Sequence, residues 1–430
     1  MQDRSFVPFT EDMKKDYTIL VPNMLPMHFK MMLKIFETYG YHFELLETEG
    51  PQIAETGLKY THNDTCYPAI LVVGQFMDAL LSGRYDTNRT ALIMVQTGGG
   101  CRASNYISLI RKALKKANLS HIPVISLNFA GLEKHPGFRI TPKLLHSMIY
   151  AVLYGDLLMS LVNQVRPYET ASGAAEVLAD RWTQQLGRQL AEEKIRYSKI
   201  RENYRLIIRD FAKIPTVKTP KPKVGIVGEI FVKYSPLGNN NLERFLIKEG
   251  AEPVVPGLLD FCLYSVYDSI VDYKLYGRGR KTYPVYLWVY RYLCRKKRDI
   301  IDIIREESTF EAWAPFEHIT HLADNLINSA VKMGEGWLLT AEMIELAQSG
   351  CKNIVCTQPF GCLPNHICGK GMMKPIKEII PDVNIVAIDY DAGASRVNQE
   401  NRLKLMLSNA RRIAEKDSRM SETAKETVTV

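Results

Sequence analysis

Short apolar runs alternate with amphipathic stretches of helix length along most of the chain, and this alternation restricts it to parallel sheets with helices on both faces. Residues 18–22, 42–46, 91–95 and 123–127 read as strands, and residues 27–38, 69–81 and 106–116 as helices. Strand signals vanish from Pro142 to about Phe211, where residues 147–165 and 174–210 carry helical spacing with Glu192, Glu193 and Lys194 on the outer face. The Pro- and Lys-rich segment 213–223 cannot hold a helix and predicts a boundary. Beyond it the alternation resumes, with strands expected at 224–230, 252–256, 353–356 and 384–389. Helices are expected there at 239–249, 285–308, 316–331, 372–380 and 396–413.

At 430 residues the chain is too long for one ordinary core. The expected fold is α/β, with two doubly wound parallel-sheet domains of flavodoxin or Rossmann type joined by a helical segment. The first domain is assigned to residues 1–140, the helical segment to 141–212 and the linker to 213–223. The second domain, with a helical insertion, is assigned to 224–415, and a polar tail at 416–430 is expected to be disordered.

Apolar runs such as Ala69–Val73 are far shorter than the ~20 residues needed to span a bilayer, and the N-terminus lacks the pattern of a secretory signal. A soluble cytoplasmic chain is therefore expected, with no membrane partner. The net charge is +8, but its basic clusters, 111–116, 218–223, 278–281 and 295–298, are scattered over separate elements. No nucleic-acid motif accompanies them, so they read as solvated faces and nucleic acid is not an expected partner.

Eight cysteines in such a chain point to buried thiols, catalysis or metal rather than disulfides. Cys66 precedes Tyr67 and Pro68 at the start of a predicted helix, whose N-terminus favours a thiolate or an anionic group. Cys101 follows Gly98, Gly99 and Gly100 directly after a predicted strand. Cys356 and Cys362 lie six apart after another, with Gly361, Pro364 and His366 around them. The carboxyl ends of parallel strands are where open α/β sheets bind ligands, and glycines such as Gly99 and Gly100 let backbone amides approach cluster sulfurs.

Other readings of these residues stay open. The Cys356–Cys362 interval is wider than the usual structural zinc spacing, and neither ferredoxin spacing is present. The glycine run could form a phosphate nest, but GxxxxGK[ST] is absent, and no triad signature accompanies a cysteine nucleophile. Iron–sulfur, zinc and buried structural thiols all remain. Cys262 and Cys294, in apolar helical contexts, read as inert, and Cys351 and Cys368 are ambiguous.

At these same segments the chain resembles the 2-hydroxyacyl-CoA dehydratase family, in particular its activase-associated branch, which is related to double-cubane cluster proteins. The similar stretches are 63–68, 98–106, 224–234 with Asn239 and Asn240, 334–337, 356–371 and 388–393. The resemblance implies a 4Fe-4S cluster, as a single or a double cubane, held between the two domains, with Cys66, Cys101 and Cys356 as metal ligands and Cys362 as an added candidate that either completes four-cysteine ligation or leaves one iron open. It implies an ASKHA-type ATPase activase, carrying its own iron–sulfur cluster, as the partner that delivers a low-potential electron. The substrate would be an acyl-CoA or another small molecule, the chemistry dehydration or reduction, and a dimer the expected assembly. Arg102 and His366 are the candidate catalytic residues. Asn63, Asp64, Ser104, Asn105 and Asn365 are further cleft candidates, with helix capping or local pairing as the rival account.

Overall fold

The computed structural model describes residues 6–97, 100–127, 133–192, 194–217 and 219–428, with side chains up to 413. Gly98, Gly99 and Lys218 lie outside the described residues, so the expectation that Gly99 binds a cofactor falls there too.

Two four-stranded sheets form, both entirely parallel. The first holds β1 (Thr18–Pro22), β2 (His42–Leu46), β3 (Thr90–Val95) and β4 (Val124–Leu127), in the order β2-β1-β3-β4. The second holds β5 (Lys223–Gly228), β6 (Glu252–Val254), β7 (Asn353–Pro359) and β8 (Asn384–Tyr390), in the order β6-β5-β7-β8. The two halves thus repeat one doubly wound plan. Each chain path steps outward to the second strand and then crosses back, leaving a switch point between β1 and β3 and another between β5 and β7.

The central strands are buried on both faces, as parallel strands between helices must be: Ile19, Leu20, Ala91, Leu92, Ile354, Val355 and Cys356 are inaccessible. Helix Pro142–Val165 runs between the halves. It is long and apolar enough to cross a membrane by length and composition, a feature the sequence reading missed, and 72% of that window is buried inside the molecule. Its Asp156 accepts from Leu258 N and Leu259 N at 2.8 and 2.9 Å, capping helix Leu258–Tyr276 of the second half. The same carboxylate meets His28 Nε2 of the first half at 2.8 Å. Gly155 makes room for that ring, since a Cβ there would come within 2.3 Å of it.

Several expected elements change. Residues 239–249 do not form one helix, because Asn240 (φ 56°) and Asn241 (φ 59°) turn left-handed between Pro236–Asn239 and Leu242–Lys248. Residues 174–210 divide into Ala174–Glu192 and Tyr197–Ala212, and helix Phe316–Leu322 stops well short of 331. Helices Pro51–Tyr60, Leu258–Tyr276 and Trp337–Gln348 were not anticipated. The last helix continues from Arg396 to Val428 through the expected tail, a stretch rich in the helix formers Ala, Glu, Lys and Met. The linker is pinned rather than loose, with Thr170 N bonded to Pro215 O (3.0 Å) and Val217 N to Tyr168 O (2.8 Å). Its Lys223 already belongs to β5.

Candidate metal centre between the two sheets

The loops at the carboxyl ends of both sheets meet. Ser235 Oγ donates to Asn23 O, just past β1, at 3.2 Å, and Tyr67 N donates to Phe360 O, just past β7, at 3.0 Å. The β7 loop is pressed onto Cys66: Gly361 has φ +73°, and a Cβ there would lie 3.1 Å from Cys66 Cα. Gly100 faces Met333 so closely that a Cβ would fall 2.3 Å from its Sδ, and the Cβ position of Gly334 lies 4.0 Å from Cys101 Sγ.

Three cysteines line the cavity these loops enclose: Cys66, Cys101 and Cys362. Cys66 caps helix Tyr67–Leu81, where Ala69 N and Ile70 N donate to its carbonyl at 3.0 and 3.2 Å. Cys101 leads a single turn, Arg102–Asn105, fixed by Ser104 Oγ donating to Cys101 O at 2.7 Å. Cys362 opens the turn that continues into Asn365–Gly369, and its carbonyl accepts from His366 N at 3.1 Å. The cavity, about 370 Å³, is within the range of roughly 300–1,000 Å³ typical of ligand sites.

Cys356 does not belong with them. It sits inside β7, paired with Val227 and Ala387, fully buried in the apolar core of the second half. Its Sγ donates to Asn365 Oδ1 at 3.5 Å, and Asn365 Nδ2 donates to Thr357 O at 2.8 Å, so Asn365 is a structural bracket for the strand end. A cysteine within a central strand faces the sheet's own packing layer, whereas one in the following loop can reach the ligand edge. Of the two cysteines expected among the metal ligands here, Cys362 lines the cavity and Cys356 lies in the core outside it.

His366 is likewise displaced: it is exposed on its turn and does not line the cavity. Arg102, Ser104, Asn105 and Gly100 do line it. Arg102 is exposed where it lines the cavity. Asn63 and Asp64 lie outside the cavity lining, and the Asp64 carboxylate turns to His62 Nδ1 at 3.3 Å.

Two lining residues had not been singled out. Tyr106, buried, brings its hydroxyl to 3.7 Å from Cys66 Sγ. Glu229, half-buried directly after β5, accepts from Val232 N at 2.9 Å. Behind it Glu335, 5% exposed, accepts from Ile230 N at 2.8 Å. Burial and then the neighbouring Glu335 push the Glu229 carboxyl up to about 8. The sequence signal was an acid directly after a Gly-ended strand and the Gly334–Trp337 string.

Burial raises every thiol at the cavity: Cys66 upward, Cys101 to about 11 and Cys362 well upward, each also lifted by nearby Glu229. Burial thus favours the neutral thiol at all three positions, as it does at Cys262 and Cys294. Among the described residues no three Cys, His, Asp or Glu side chains converge on one point that a single metal ion would occupy. Three thiols spaced around a cavity with glycine-bearing walls fit a polynuclear group that spans the space between them. Cys262 and Cys294 are held at about 12 by burial within apolar helix packing, away from the cavity.

No family model and no curated protein matches the chain.

Proposed function

We propose that the chain holds a 4Fe-4S cluster on Cys66, Cys101 and Cys362, and that it works as a 2-hydroxyacyl-CoA dehydratase-like enzyme or a small-molecule reductase. Its electrons would come from a separate ATPase activase with a cluster of its own. The observation that carries this reading is the meeting of three buried thiols, from both sheet edges, on one cavity. Cys66, Cys101 and Cys362 would hold such a group, and when bound it would supply one-electron transfer.

With Cys356 in the core, three cysteines remain for four irons, which favours substrate chemistry over a simple relay. The chain's own residues divide the remaining work. Tyr106 hydroxyl steadies the Cys66 sulfur, and Arg102 at the rim offers a cation to an anionic substrate group. Glu229 holds a proton inside the cavity near neutral pH. Anaerobic reconstitution with iron and sulfide tests the proposal. It predicts a brown protein with about four irons and four sulfides per chain. A colourless protein carrying one zinc per chain would overturn it.

A further inference from the structure

A second cavity, about 370 Å³, lies at the carboxyl ends of β1, β2 and β5 and, among the described residues, shares none with the lining of the cysteine cavity. Both halves build it. Leu25 and Met27 come from just past β1, Glu47 from just past β2, and Tyr234 and Leu242 from beyond β5. The last turns of helix Pro142–Val165 add Met159, Val162 and Asn163, with Arg166 at the helix end. Apolar walls carrying a few polar groups, at the boundary of two domains, are the make-up of a site for a small organic molecule.

Two polar atoms of the lining side chains are buried without a hydrogen-bond partner among the described residues: His28 Nδ1 and Arg166 Nε. His28 is inaccessible in helix Pro26–Glu37 and turns Nε2 to Asp156 at 2.8 Å. That carboxylate already accepts from Leu258 N and Leu259 N, so it accepts from Nε2–H as well. The neutral ring then keeps Nδ1 as a bare acceptor. Gly155 packs against the Cδ2–Nε2 edge, across the ring from Nδ1. Arg166 directs Nη1 to Glu176 Oε1 at 2.7 Å, which leaves Nε–H as an unused donor. Buried polar atoms are costly when left unpaired, so both call for a partner.

The two atoms ask for opposite groups. Nδ1 needs a donor, whereas the Arg166 guanidinium needs an acceptor and favours a carboxylate. Glu243, half-buried, stands beside Arg166 and the Asn163 amide. The wall as a whole carries five carboxylates against three Lys and Arg side chains, which disfavours a simple anion and favours a ligand with a positive group. We infer that this cavity binds a small zwitterion, an amino acid with an apolar side chain. Its carboxylate meets Arg166, its ammonium meets His28 Nδ1 and Glu243, and its side chain packs among Met27, Met159 and Leu242. The site is one of binding, with no bond made or broken, and it stands whatever the cysteine cavity holds. An occupant touches both halves and the helix between them, so binding stabilises their docking.

The test uses the purified full-length chain without metal, titrated calorimetrically with L-leucine, L-methionine and L-phenylalanine. At least one should bind with a Kd of about 1 mM or tighter and raise the melting temperature. For the tightest of the three, the matching amine without the carboxylate and the matching acid without the ammonium should each bind at least tenfold more weakly. Arg166→Gln should weaken the amino acid at least tenfold and leave the affinity for the amine unchanged, a split that a general loosening of the fold would not produce. Should Arg166→Gln melt early through loss of its pair with Glu176, Glu243→Gln takes its place, with a tenfold loss expected for the amino acid and none for the acid lacking the ammonium. No binding by any of the three amino acids would overturn the inference, as would a truncated analogue binding as tightly as the amino acid. Unchanged affinity in the variant used would overturn it equally. A chain that binds the amino acid but takes up no iron would fail the cluster proposal alone.

Discussion

Tyr106 and Glu229 are the two residues whose replacement reports most cleanly on the cysteine cavity. The Tyr106 hydroxyl lies 3.7 Å from Cys66 Sγ in a buried setting, and a hydrogen bond to a ligand sulfur stabilises the reduced, more negative state of a cluster. Tyr106→Phe should leave iron content unchanged and lower the midpoint potential by the equivalent of about 1 kcal/mol, the net worth of one such bond, read by redox titration. An unchanged potential would make the contact mere packing. Glu229 is raised in the folded chain to about 8 from an ordinary 4.5. The folded state therefore binds the extra proton between those values. Its contribution is fully present below about 4.5 and is lost as pH rises through about 8. Glu229→Gln should flatten that fall and raise stability above pH 8 by about 2 kcal/mol, less than full burial would give because the carboxyl faces the cavity. Denaturant melts across pH check this, and an unaltered slope would contradict the assignment.

At the scale of elements, the loop after β7 does the positioning. Gly361 takes φ +73° and lies against Cys66, so Gly361→Ala introduces both a strained backbone and a contact at 3.1 Å. It should cost about 1–2 kcal/mol and lower the iron bound per chain by moving Cys362 away from Cys66. Full iron binding at wild-type stability would show that the close approach is unimportant. The loop was visible in the sequence as a Gly- and Pro-framed cysteine segment after a strand. Which of its cysteines faces the cavity was not, because Cys356 and Cys362 carry the same composition signal and only strand register separates them. Helices Leu258–Tyr276 and Trp337–Gln348 were missed for a related reason. Trp337–Gln348 is buried nearly all round, and Leu258–Tyr276 is rich in aromatic and apolar residues throughout, so neither shows an apolar stripe of helical period. The basic run 295–298 misled in the opposite sense. Lys297 turns inward to Asp260 and Lys296 lies over the Tyr197 ring, so half of the expected solvated face is core.

In the whole molecule, two copies of one sheet plan set their ligand edges against each other, and the alternation of strands and helices made that plan legible. The way the edges meet was not legible, since it depends on backbone contacts such as Tyr67 to Phe360 and on the capping carboxylate of Asp156. A site shared between halves must be reached by any electron donor at the mouth between them. With ATP and a cluster-bearing activase, the reconstituted protein should be reduced at least tenfold faster than without them. Equal rates would reduce it to an ordinary electron carrier. The most direct test of the central claim is a cysteine series reconstituted anaerobically and assayed for iron and sulfide. Cys66→Ala, Cys101→Ala and Cys362→Ala should each lose the cluster, while Cys356→Ala keeps about four irons per chain despite some loss of stability. Loss of iron in Cys356→Ala together with full retention in Cys362→Ala would contradict the account.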